Sequence, residues 1–278
     1  MTCHNCQTKC KRFGKDRHGL QRYRCRQCSK TYLEPHDRPL DDMRLPVEKA
    51  LLCLQLLLEG MSIRSAERIT GTHRDTIMSL LVLAGERRER LLAEKMRGIP
   101  AERLEFDEIW TFCKKKQKRL RFGESDEYGD QFLFVAIDPV TKLVPAFAVG
   151  KRNWSTTVPF VQQVRERTTG APQITTDGFK PYIRAIDDAF GADVDYAVLV
   201  KTFGTSDDGA GTYHPSRIVG VFHQVMFGDP EPRFISTSMV ERNNLTMRMQ
   251  MRRFTRLTNG FSKKAANLKA ALALHFAW

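Results

Sequence analysis

Long apolar runs are missing from this 278-residue sequence. The most apolar stretch, Ala50 to Leu58, is interrupted by Gln55 and is far shorter than the ~20 residues a membrane-spanning helix needs. It reads as a buried helix, and no membrane partner is expected. No secretory signal is visible either: the N-terminus is polar, cysteine-rich and basic, which predicts a reducing cytoplasm for all seven cysteines. Internal repeats and low-complexity tracts are absent. Acids are scarce at both ends. Residues 1–36 set nine Lys and Arg against Asp16 and Glu34, a net +7, and residues 236–278 set eight against Glu241 alone, again +7. Since the whole chain carries +13, the middle is close to neutral. A polyanion gripped at both ends fits this distribution; solubilising surface charge is the plainer alternative. What remains is 41% hydrophobic and 28% charged, enough for a globular protein with a real core.

Two Cys-x-x-Cys pairs stand in the first 28 residues, Cys3-His4-Asn5-Cys6 and Cys25-Arg26-Gln27-Cys28, separated by residues 7 to 24. Four thiolates at this spacing close tetrahedrally on one structural Zn²⁺. The alternative, two disulfides or four scattered thiols, needs an oxidising compartment that nothing here indicates. Cys10 is a candidate fifth, competing ligand, while Cys53 sits among leucines and reads as core. A metal-stapled module this basic predicts nucleic-acid contact, with Arg22, Arg24 and Arg26 as the expected DNA-facing residues.

Residues 35–46, with Pro35, Pro39 and Pro46, read as a linker. Three helices are predicted next: Val47 to Leu58; Ser62 to Thr70; and, after the Gly71-Thr72 turn, a helix from near His73 to Lys95. Two short helices about a glycine turn form a helix-turn-helix pattern, in which His73, Arg74 and Thr76 would face the major groove. Any small three-helix bundle is the competing interpretation. Gly98 and Pro100 end the third helix. From residue 102 the period changes. Strands are expected over Arg103 to Cys113, Gln131 to Ile137, Leu143 to Val149, Gln173 to Thr176 and Tyr196 to Lys201, and helices over Thr156 to Arg167 and Lys180 to Phe190. Residues 204–234 look like an irregular insertion, and a long helical region is expected from Thr237 to the end. The result is a multidomain chain: a zinc module over 1–36, an all-α helix-turn-helix domain with helical spacer over 44–98, and an α/β domain over 102–278 whose mixed sheet is flanked by helices.

Three acids are candidates for chemistry. Asp107 lies in the middle of an apolar strand, where a carboxylate is costly unless paired, exposed or metal-bound. Alternation sends Asp107 and Glu108 to opposite faces, so only one of them is expected at a given site. Asp177 sits where a short strand ends, although Asp177-Gly178 is equally an ordinary turn. Glu241 heads a helix on which Arg248, at i+7, and Arg252, at i+11, return to the same face. Three such acids would hold two Mg²⁺ ions, or Mn²⁺, for in-line phosphoryl displacement.

The blocks Phe106-Asp107-Glu108-Ile109-Trp110, Thr176-Asp177-Gly178 and Val240-Glu241-Arg242-Asn243-Asn244-Leu245-Thr246-Met247-Arg248 resemble the three acidic blocks of DDE transposases. With the zinc module, the helix-turn-helix and the tail Arg256-Leu257-Thr258…Phe261-Ser262-Lys263-Lys264, nearly the whole chain resembles the "insertion sequence one" family of bacterial transposases. The resemblance implies an RNase H-like catalytic domain in which Asp107, Asp177 and Glu241 bind metal and Arg248 is the accompanying basic residue. It also implies a nucleoid-associated enzyme that binds inverted repeats, cuts double-stranded DNA and joins it to a target as a dimer or larger assembly. A zinc/helix-turn-helix regulator with an inactive C-terminal domain, and a two-metal nuclease without strand transfer, are the rival functions.

Other candidates are weaker. Asp138 follows a strand but stands in an Asp-Pro turn; Glu108 is an alternative acid; His214 and His223 lie in or beside the insertion. Six cations occur in the eight residues Lys114 to Arg121, so Lys114, Lys115 and Lys116 are expected on a DNA-contacting hairpin loop, with Arg252 and Arg256 contacting DNA from the tail. Trp110 and Trp154 read as core, with Trp154 also placed to stack on an unpaired base.

Overall fold

The computed structural model describes residues 1–17, 19–35, 39–204, 218–255 and 258–278. The chain forms two compact units, Met1–Val47 and Glu48–Trp278. The first is a three-stranded antiparallel sheet in the order β1 (Lys11–Lys15), β2 (Gln21–Arg24), β3 (Thr31–Leu33). Its buried centre is Cys3, Cys10 and Cys25, with Cys6, Cys28, Tyr23 and Tyr32 packed against them. So few apolar side chains cannot hold a fold this small without a further tie.

The second unit opens with α1 (Val47–Leu58), which starts at the boundary, then α2 (Ile63–Thr70) and α3 (Arg74–Lys95). The turn between α2 and α3 forms for local reasons. Ser62 caps α2 by accepting the Ser65 N–H at 3.0 Å. Gly71 ends it at φ +64°, a left-handed conformation glycine adopts freely, and donates its N–H to the Glu67 carbonyl at 2.8 Å. His73 then caps α3, its Nδ1 accepting the Asp75 N–H at 3.3 Å. Cys53 is buried beside Thr70.

The remaining elements are β4 (Ile99–Pro100), β5 (Arg103–Cys113), β6 (Gly129–Ile137), β7 (Ala146–Gly150), α4 (Trp154–Arg167), β8 (Thr168–Thr169), β9 (Gln173–Thr176), α5 (Pro181–Phe190), β10 (Asp195–Phe203), β11 (Ile218–Phe227), α6 (Ser238–Gln250) and α7 (Ala265–Phe276). Six strands form one mixed sheet in the order β11-β10-β9-β5-β6-β7. β5 runs parallel to β9 and antiparallel to β6, and β9 runs parallel to β10. Alternation along β5 divides the core. Leu104 and Phe106 enter one layer with Phe134, Phe160 of α4 and Tyr182 of α5. Ile109 enters the opposite layer with Leu133, Val135, Leu81 of α3, Val240 and Met247 of α6, and Leu268 and Leu272 of α7. α3 and α7 cross so closely that a Cβ at Gly85 would collide with the Ala270 backbone.

Two expectations need correction. The 204–234 stretch is not irregular throughout: β11 pairs antiparallel with β10 from Tyr196↔Phe227 to Phe203↔Ile218. Its apolar residues, including Val219, Val221, Phe222 and Val225, are exposed, so it shows none of the in-out alternation by which strands are read. The tail is two helices rather than one. After Gln250 the Thr255 hydroxyl donates to the Arg248 carbonyl at 2.8 Å, and the Thr258 hydroxyl to the Thr255 carbonyl at 3.2 Å. The first of these satisfies a carbonyl in the last turn of α6.

Candidate active site

β5 delivers the site, and its register explains how. Leu104 pairs with Ile174 and Glu105 with Thr175 across the parallel β5–β9 ladder. Two residues further on, Asp107 comes beside Asp177, just past the end of β9. Carboxylate oxygens of Asp107, Glu108 and Asp177 lie within 4.8 Å of one another. Asp107 Oδ2 accepts from the Asn244 side chain of α6 at 2.7 Å, and Asp177 Oδ1 accepts the Phe179 N–H at 3.0 Å. Glu108 lies on the opposite face of β5, its side chain only 3% exposed. It still reaches Asp177 because β9 has ended and leaves that edge open. The expectation that only one of Asp107 and Glu108 serves a site is therefore corrected.

Glu241 stands outside this trio. It is in the first turn of α6, where Oε1 takes an ion pair from Lys201 of β10 and accepts from the Thr237 hydroxyl at 2.7 Å. It is nonetheless near enough for its charge to act on Asp107. Asp107 is pushed up to about 7, first by burial, against the pull of the Glu108 backbone N–H, and then by the charges of Glu108, Asp177 and Glu241. Burial likewise raises Glu108, with Asp177 adding to it. Arg152, just before α4, partly offsets this crowding: Nε donates to Glu108 Oε2 at 2.8 Å and its guanidinium to Asp177 Oδ2 at 3.2 Å, while stacking 4.0 Å from the Phe179 ring centre. Glu108 Oε1 is buried, and the neighbouring Tyr182 hydroxyl pulls the Glu108 carboxyl down against burial. Crowded carboxylates are the donor set a hard divalent cation takes.

Glu105 does something the sequence did not advertise. Only 4% exposed, it accepts the Met239 and Val240 N–H groups at 2.8 and 2.9 Å, capping α6 from across the core. Thr237, at the N-cap position, makes no side-chain cap. The anionic cap also meets the positive end of the helix dipole. Burial is the main influence on Glu105 and raises its pKa, opposed by these two N–H groups. One strand thus anchors α6 through residue 105 and meets it again through Asp107 and Asn244.

The cysteine cluster has a different character. Sγ atoms of Cys3, Cys6, Cys25 and Cys28 lie within 4.8 Å of one another, with Cys3 and Cys28 3.6 Å apart. Four thiolates about 2.3 Å from a tetrahedral zinc stand about 3.8 Å apart, so the group fits Zn²⁺. The N–H groups of Cys28 and Gln27 point at Cys25 Sγ, and the Thr8 hydroxyl lies 3.4 Å from it, holding that thiol down at about 6. The Tyr32 hydroxyl lowers Cys3 in the same way, while Cys6 is pushed up to about 12, chiefly by its hydrogen bond with Cys28. Cys10 is buried beside the cluster but outside the four-sulfur group.

The basic candidates are dispersed. Arg22 and Arg24, on one face of β2, lie 5.3 and 5.1 Å from the Phe13 ring centre, and Arg26 is exposed in the second knuckle. His73 and Arg74 are exposed at the start of α3 and Thr76 is half-buried, but Asp75 lies beside the first two. Lys115 is paired with Glu124 at 2.6 Å and Lys114 sits 3.9 Å over the Tyr128 ring, leaving Lys116 the most open of the three. Arg248 shares the Glu241 face of α6 and is half-buried. Arg252 lies past the end of α6, so the i+11 argument does not apply to it. Arg256 and His214 lie outside the described residues, and His223 is exposed on β11. Asp138 is a turn residue, its carboxylate accepting from the Val140 N–H at 2.8 Å and the Thr141 hydroxyl at 2.7 Å. Trp110 and Trp154, read as core, are 38% and 42% exposed. No helix among the described residues is long and apolar enough to cross a membrane.

No protein-family model and no curated protein sequence matches the chain. Its structure is similar to one in a cryo-EM structure of a piggyBac transposase synaptic complex with hairpin DNA, over 84% of this chain and 66% of that one, just under two thirds of its length. The TM-score is 0.39 and the sequence identity 11%.

Proposed function

We propose that the chain is a metal-dependent DNA-processing enzyme of the DDE transposase type. The observation that carries this reading is the convergence of Asp107, Glu108 and Asp177 at the end of β9, in a chain whose two ends each carry +7. Asp107, Asp177 and Glu108 would hold Mg²⁺ or Mn²⁺, with Glu241 joining from α6 once Lys201 releases it. Bound there, the metal supplies Lewis-acid activation and charge neutralisation at the reacting phosphate. Asn244 orients Asp107, and the Phe179 N–H orients Asp177. Arg152, released from its acid partners, and Arg248 further along α6 would take phosphate oxygens. Water attacks phosphorus as the P–O3′ bond breaks, freeing a 3′ hydroxyl. That hydroxyl then attacks a target phosphodiester, forming a new P–O bond and expelling the target's own 3′ oxygen, which leaves protonated. No covalent enzyme intermediate is needed. In this reading the domain is RNase H-like, the zinc unit and the start of α3 bind the element's terminal repeats, and two or more protomers assemble on the DNA.

The test uses the full chain, Mg²⁺ and a duplex carrying the DNA that flanks its coding sequence. Cleavage should vanish with EDTA and in Asp107→Ala and Asp177→Ala. Comparing Glu108→Gln with Glu241→Gln decides which acid completes the site. Pre-cleaved ends joined to a plasmid separate a transposase from a nuclease. Cleavage that survives both aspartate substitutions would sink the reading.

A further inference from the structure

We infer that the face of β5 beside the acid cluster binds an unpaired DNA nucleotide, with Trp110 as its stacking platform. This rests on the proposed DNA chemistry and extends it to the form of the DNA at the site. Even-numbered residues of β5 share one face. Phe106 is buried under α4 and α5, its ring 5.4 Å from that of Phe160 and 5.7 Å from that of Tyr182. Glu108 follows, and Trp110 comes next. Trp110 is 38% exposed while its strand neighbours Ile109 and Thr111 are buried. The indole continues into an aromatic row: its ring lies 5.8 Å from Phe112, which packs 4.6 Å from Phe261 at 30°. This row supports the indole from one side and leaves part of it to solvent.

Arg152 pairs with Glu108, the preceding residue on this face, and is 37% exposed. Asp130 pairs across from Phe112, so a phosphate is favoured at the Arg152 end of the row rather than along β6. Two strand residues span about 7 Å. A base on Trp110 therefore leaves its phosphate within reach of Glu108 and Asp177. Duplex bases have both faces covered by stacking, so an aromatic ring on a sheet face serves an unpaired base. A protein partner fits less well. Stable interfaces bury about 800 Å² per partner, and one partly exposed indole offers far less.

The test measures binding of a fluorescent oligo-dT and of a duplex of equal length to the full chain in EDTA, for wild type, Trp110→Ala and Trp110→Phe. Trp110→Ala should weaken oligo-dT binding about tenfold, the loss of one base stack, and duplex binding less than twofold. Trp110→Phe should restore the single-strand affinity. Cleavage by Trp110→Ala should recover on a duplex mismatched next to the cut. Equal losses on both DNAs, no loss on either, or a change in sedimentation with DNA binding intact would each overturn the inference. A Trp110-dependent single-strand affinity in a protein that cuts no DNA would leave this subsite standing and remove the function proposed above.

Discussion

Asparagine in place of Asp107 should stabilise the protein when no divalent ion is present, and by an amount that depends on pH. The carboxyl is pushed from 3.8 to about 7 in the folded chain. A carboxyl raised on folding lowers stability once pH passes the unfolded value. The loss therefore starts near pH 4, grows to about pH 7 and is constant above it. At about 1.4 kcal/mol per pH unit the full displacement corresponds to about 4 kcal/mol. Asp107 keeps one edge in solvent, so we take about 2–4 kcal/mol as the gain above pH 8. The asparagine side chain keeps the shape and still offers an oxygen to the Asn244 amide. Urea unfolding in EDTA at pH 5 and pH 8 measures it. The Asp107→Asn advantage should be at least about 1 kcal/mol larger at pH 8, and Mg²⁺ should close the gap by stabilising wild type alone. If Asp107→Asn is no more stable than wild type at pH 8 in EDTA, the crowded-carboxylate account of this site is wrong.

Glu105→Ala should cost about 3–5 kcal/mol, because two buried helix N–H groups lose a charged acceptor; Glu105→Gln should lose less, and chemical denaturation compares them. Cys25→Ser should abolish stoichiometric zinc, and chelation should unfold Met1–Val47 while Glu48–Trp278 keeps its circular dichroism; a folded N-terminal unit in EDTA would contradict this. Gly85→Ala sets a helix-propensity gain of about 1 kcal/mol against a collision with the Ala270 backbone. Because backbone cannot rotate away, overpacking should win by about 1–2 kcal/mol, and a raised melting temperature would count against the close α3–α7 crossing.

Much of this architecture was legible in the sequence because it is written locally. The Cys-x-x-Cys spacing, the Ser62 and Gly71 caps and the alternation of β5 are short-range signals, and the structure has elements where they point. Asp107 and Asp177 were marked as one carboxylate stranded in a strand and one at a strand's end, and the β5–β9 register brings them together. Alternation alone sends Glu108 away from Asp107, and the cluster of the two with Asp177 forms where β9 ends. Nothing local marks Glu105, since its partners at 239 and 240 are 134 and 135 residues away. Arg152 left no signal beyond being an arginine before a helix. The strands around the cysteines leave no local signal because they are short and β1 is exposed throughout. The break after Gln250 carries no proline, and the hydroxyl that meets the last turn of α6 comes from Thr255.

The Glu105 cap also bears on how faithfully the site assembles. The carboxylate that holds α6 lies two residues from Asp107 on the same strand, so helix and acid are measured from one ruler. Were α6 to dock one turn out of place, Glu105 would be left buried without its donors, an error of several kcal/mol. A chain with its acids misaligned would therefore be less stable than one in which α6 docks in register.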